Sequence, residues 1–204
     1  MDDLAVMRDV LYFERPGSQN TLPVIEAVNE RLRFGDIRTV VVPVTTGKTA
    51  ELFSRELRGE AEVVTVSEDE AAAATKRIAS PERGLLGSLT RSRLEEASRL
   101  ADKRLRREAF DMTFLPFSGE TWNAVRETLY AFGQGMKVAI EVSVVAVELM
   151  KVKPYSRVIA VGGTEGGTDT AIVVRTSPQN EAFGKETKKR LAVQEIIAIP
   201  IEKW

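Results

Sequence analysis

Short β-branched runs alternate with longer segments of helical period along this chain. Val10-Leu11-Tyr12-Phe13 reads as a first strand. Val24, Ile25, Val28 and Leu32 then share one helical face. That helix has Asn20 or Thr21 available as a cap and ends near Gly35. Val40, Val41, Val42 and Val44 form a strand of the kind buried on both faces of a parallel sheet. Ala50, Phe53, Ser54 and Leu57 return to helical spacing, and Val63-Val64-Thr65-Val66 is a third strand after Gly59. From Ser67 to Arg93 the pattern weakens into an irregular excursion with some helix. Arg91 to Ala109 reads as a charged helix with a narrow apolar stripe, and Met112 to Leu115 as a short strand. Glu120 to Phe132 and Met136 to Lys151 are two further helices. The second is apolar almost all round, which predicts burial on both sides. Strands Arg157 to Gly163, Thr170 to Arg175 and Glu195 to Pro200 close the sequence.

Strands alternating with helices predict one α/β domain over residues 1–204 with a mostly parallel sheet. The link between residues 163 and 170 is too brief for a helical crossover. The 170–175 strand is therefore expected to run antiparallel, at or near one edge.

Composition narrows the chemistry. The chain of 204 residues has no cysteine and no histidine, which excludes disulfides, thiol nucleophiles, Cys/His zinc sites and histidine acid–base catalysis. No metal site and no catalytic residue is assigned. Net charge is −1, so nothing pulls the whole protein toward nucleic acid or an anionic membrane. The basic clusters Arg104, Arg106, Arg107 and Lys185, Lys188, Lys189, Arg190 read as solvated faces, because acidic residues interleave with them. The N-terminus MDDLAVMRDV resembles neither a signal peptide nor an anchor, and the longest apolar stretch is too short to span a bilayer. A cytoplasmic location is the expectation. The apolar excess of the 136–150 helix predicts a homo-oligomer.

Three glycine-bearing loops carry the functional signal. Thr45-Thr46-Gly47-Lys48-Thr49 lies where a strand ends and a helix begins, and there free backbone N–H groups and the positive end of a helix dipole favour an anion. It is not a Walker loop, since Val42 stands where that motif needs its first glycine. A plainer reading has Thr45 or Thr46 as a helix cap and Gly47 as a turn residue. Gly162, Gly163, Thr164, Gly166, Gly167 and Thr168, with Asp169, form a second loop able to bring N–H groups together, or else a hairpin tip. Gln134, Gly135 and Lys137 mark a third helix start. Glu141, one turn on from Lys137, is either its i, i+4 partner or a base. Glu14, beside Pro16-Gly17, and Asn20 complete the candidate binding set. In open α/β sheets ligands bind beyond the carboxyl ends of the strands, where the first two loops fall.

These motifs resemble the C-terminal α/β domain of pyruvate kinase. They are Tyr12-Phe13-Glu14 with Pro16-Gly17 and Asn20-Thr21, then Thr45 to Ala50, and Phe132-Gly133-Gln134-Gly135 with Lys137-Val138-Ala139. Ala160 to Thr164 and Asp169-Thr170-Ala171 complete the set. The chain is more closely similar to stand-alone, mostly prokaryotic proteins built on that domain. The resemblance implies a three-layer fold without the catalytic barrel. It also implies a phosphorylated ligand, flavin mononucleotide (FMN) in the stand-alone proteins and a sugar phosphate in pyruvate kinase, where the domain also assembles the oligomer. A flavin-dependent enzyme is the alternative to a binding module. The match departs after the third strand. There the family carries a His-containing, Gly-rich segment and this chain has Ser67-Glu68-Asp69-Glu70-Ala71.

Overall fold

The computed structural model describes residues 5–45, 47–67, 69–71, 120–164 and 166–204. The expected charged helix 91–109, the strand 112–115, the cluster Arg104, Arg106 and Arg107, and Thr46 lie outside the described residues.

The strands are β1 (Leu11–Phe13), β2 (Thr39–Val44), β3 (Glu62–Ser67), β4 (Arg157–Gly162), β5 (Thr170–Arg175) and β6 (Ala192–Pro200). The helices are α1 (Thr21–Leu32), α2 (Lys48–Glu56), α3 (Glu120–Tyr130), α4 (Gln134–Glu148) and α5 (Gln179–Ala182). One six-stranded sheet runs β1-β6-β5-β4-β2-β3. β5 is antiparallel to both its neighbours, and every other pairing is parallel. The direction of β5 follows from its short link, as expected. Its position does not, because β5 is third of six and not at an edge. Link length constrains only the β4–β5 pair. β6 then adds beyond β5, and β1 returns from the start of the chain to cover β6.

Alternation along the strands sorts the core into two layers. Val41, Val158, Ala160, Ile172 and Val174 join α4 in one apolar cluster. Val40, Val42, Ile159, Val161, Ala171 and Val173 join α1 and α2 in the other. Neighbouring residues of one strand face opposite ways, so helices cover both faces. Residues 135–147 of α4 are all buried. The apolar surface that suggested a homo-oligomer is thus covered within the chain. No helix among the described residues is long and apolar enough to cross a membrane.

β6 is not regular. Its register against β5 shifts twice, leaving Ile197 and Gln194 as extra residues. Such bulges bend a strand and end pairing. On the other side β1 pairs with β6 only at Ala198, Ile199 and Pro200.

At the opposite end of the sheet from the glycine loops, α1 is tied to the strands by charge. Arg31, 5% exposed, holds Asp36 at 2.7 Å and Glu195 at 2.6 Å. Arg157 bridges the same two carboxylates at 2.9 and 3.1 Å. The Arg31 guanidinium holds Asp36 down at about 2 and Glu195 below its ordinary value. A depressed carboxyl stabilises the fold above its unfolded value, and that stability is lost as pH falls through the folded one. Native stability should therefore decline between 3.8 and about 2 on this account. Arg31→Met should flatten that decline and lower stability at neutral pH by roughly 2–3 kcal/mol, less than a fully buried pair because Asp36 keeps water. Urea unfolding of both proteins across that range checks it; an unchanged slope would show that the network does not set acid stability.

Candidate functional site

Five parallel strands end at one edge, and the turns after β1, β2 and β4 lie there with the starts of α1, α2 and α4. The chain leaves β2 for β3 on one side and arrives at β4 on the other. The β2/β4 boundary is thus a switch point of the kind that opens a crevice.

The loop after β4 is held by one carboxylate. Asp169 is 0% exposed. Its Oδ2 accepts the N–H of Gly17 and that of Thr164, both at 3.1 Å, and its Oδ1 accepts the Thr170 hydroxyl at 2.9 Å. Burial pushes the Asp169 carboxyl up, against those three hydrogen bonds. Thr21 works beside it: its hydroxyl accepts the Thr168 N–H at 3.1 Å and donates to the Ser18 carbonyl at 2.7 Å. The turn before α1 and the glycine loop are therefore one unit. The sequence pattern counted Asp169 only as an added polar contact and Thr21 only as a possible helix cap.

The glycines divide into two kinds. A Cβ on Gly162 would collide with the Gly135 carbonyl and stand 2.7 Å from the Ala139 nitrogen. One on Gly135 would collide with Asp169 and Thr170, one on Gly163 with the Gly167 carbonyl, and one on Gly167 with Ser18. The space these four leave is filled by protein. Gly47 and Gly166 differ: both have left-handed φ, 85° and 87°, and a Cβ on either would meet nothing within 4 Å. They face open space.

The 45–49 and 163–168 loops come together, with the Thr49 hydroxyl 3.5 Å from the Gly166 carbonyl. The 133–135 start lies against Gly162 and Asp169 on the α4 face. The three loops thus share an edge, but α2 and α4 begin on opposite faces of the sheet.

Neither α2 nor α4 has a side-chain N-cap. Gly47 and Gly133 occupy the cap positions, and Glu51 N–H to the Gly47 carbonyl at 2.9 Å is the first turn of α2. Thr45 is exposed and does not cap α2. Asn20 does not cap α1 either; its amide donates to the Arg15 carbonyl at 2.8 Å. Lys48 and Glu14 are exposed, and Gln134 is half-buried. The hydroxyl of Thr168 is buried and finds no partner among the described residues.

Lys137 is 1% exposed, with Nζ 3.3 Å from Glu141 Oε1 and 5.0 Å from the centre of the Tyr130 ring. The i, i+4 pair is real and lies inside the protein. Burial pushes the Glu141 carboxyl up to about 8, against the opposing pull of Lys137. Lys203, from the tail after β6, brings its side chain to 3.4 Å from where a Gly133 Cβ would stand. Nothing in the sequence signals that contact, which exists only because β6 ends beside β1 and α4. Among the described residues no group of three or more acidic side chains is gathered as metal ligands would be. The chain matches no protein-family model.

Two outcomes follow. Gly162→Ala should destabilise the protein by on the order of 1–3 kcal/mol with or without any ligand, because backbone blocks the new Cβ; thermal melts unchanged from the parent would refute that packing role. Glu141 should make the fold lose stability as pH rises from 4.5 to about 8, because the folded state keeps a proton that the unfolded state releases. Glu141→Gln should remove that slope in urea midpoints measured across the same range.

Proposed function

We propose that the protein binds a phosphorylated small molecule at the β2/β4 edge, with FMN as the ligand. The observation that carries this reading is the start of α2. It is a helix N-terminus without a side-chain cap, opened by a left-handed glycine facing free space, and it touches the neighbouring glycine loop. A phosphate there accepts the N–H groups of Lys48, Thr49 and Ala50, which precede the first intrahelical bond, and it meets the positive end of the dipole. Lys48 adds charge from an exposed position.

The fit to FMN is supported at the phosphate end. For the ring, Gly166 offers the open backbone against which a flat group approaches closely, whereas the four packed glycines do not. The residues named bind and orient; a flavin held there would supply its own redox chemistry.

Titration of stripped protein, followed by flavin fluorescence, tests this. FMN should bind and riboflavin should bind much more weakly. Gly47→Val should reduce FMN affinity by roughly tenfold or more, because a side chain strains the left-handed turn and covers the N–H groups. Lys48→Ala should do less. Binding of neither flavin would remove FMN as the ligand, and a larger loss from Lys48→Ala would shift the site from the loop backbone to the lysine.

A further inference from the structure

The bulges of β6 adjoin a cavity away from the glycine loops. β1 pairs with β6 from Ala198 onward, and the residues before Leu11 make no ladder pairing with it. Between residues 7–11, α1 and β6 lies a cavity of about 420 Å³, inside the range of small-molecule sites.

Its lining includes the apolar residues Val10, Ile196 and Ile197. Its wall is Phe34, 58% exposed for so large an apolar ring. That ring already attracts cations: the Arg8 guanidinium lies 4.2 Å from its centre and that of Arg31 5.3 Å. Arg31 and Glu195 belong to the neutral network with Asp36 and Arg157. Of the remaining lining charges, Asp9 and Glu30 outnumber Arg8. Arg8 is carried by a stretch without regular structure, flanked by Met7 at 91% exposure.

We propose that this cavity binds an amphipathic organic cation, whose head takes the place of Arg8 on Phe34 while its apolar part lies on Ile196 and Ile197. The aromatic face and the excess of carboxylates select positive charge. The bent β6 edge supplies the room. Arg8 is then a resident competitor, a cation of the chain's own standing where the ligand's head belongs.

Opposite effects of two substitutions make the test specific. Isothermal titration with hexyltrimethylammonium, hexanol and hexanoate compares one chain length with three head charges. The cation should bind, hexanol more weakly and hexanoate not at all. Phe34→Leu should weaken the cation roughly fivefold or more, as expected for loss of a cation–π contact. Arg8→Ala should tighten it. Both side chains are at the surface end of the cavity, and circular dichroism checks that each variant is folded. Equal binding of cation and hexanoate, no effect of Phe34→Leu, or weaker binding in Arg8→Ala would each overturn the assignment.

Discussion

The reversal between β4 and β5 is the constraint on which the rest of the structure depends. Parallel strands need a long crossover, and the link between residues 163 and 170 has none, so β5 must turn back. The turn is closed at its base by the Asp169 N–H on the Gly162 carbonyl at 3.1 Å. It is then tied to the first turn of the chain through the same residue's carboxylate. Three donors converge on that buried group, and without it each would be left unsatisfied at a cost of about 1–3 kcal/mol. By fixing this loop, Asp169 also fixes which glycines lie against backbone and which remain open. The direction of β5 and the position of the loop thus have one local cause.

Much of this was legible in the sequence, and the remainder has identifiable reasons. The β-branched runs at Val40–Val44 and Arg157–Gly162 marked buried strands, and the short link gave β5 its direction. The place of β5 in the sheet was not legible, because β1 reaches β6 from the other end of the chain. Composition announced that α4 is buried all round, but it could not say that the covering surface belongs to the same chain. Glycines at 135, 162, 163 and 167 announced close approach without saying of what; here it is the protein's own backbone and side chains. The polar residues near the helix starts looked like caps. Asn20 makes no cap: its backbone is already helical, and its side-chain amide donates to the Arg15 carbonyl.

The two ionic clusters show how burial decides the fate of similar groups. Around Arg31, each guanidinium faces two carboxylates and part of the set keeps water, so the acids stay ionised well below neutrality. Along α4, one carboxylate and one ammonium are both shut from solvent, and the hydration lost exceeds what a single partner returns. The first cluster joins three segments at one end of the sheet. The second sits within one helix, where an apolar pair of similar size would pack without a desolvation penalty.

The proposed anion site lies at the helix start that remains open. Three helices begin at one edge, and their dipoles would repel one another if left bare. The Asp169 carboxylate answers for two of them, receiving the Gly17 N–H ahead of α1 and packing against Gly135 in the first turn of α4. The start of α4 is also covered, by Lys203, whose cation would not favour the dipole but does fill the space. At α2 the arrangement is different. Its first turn carries only Glu51, exposed and pointing away from the core, and its cap glycine has open space before it. The N–H groups following Gly47 open onto free space, whereas Asp169 and Lys203 fill the start of α4, and the proposed phosphate site is therefore at α2 and not beside Gly135.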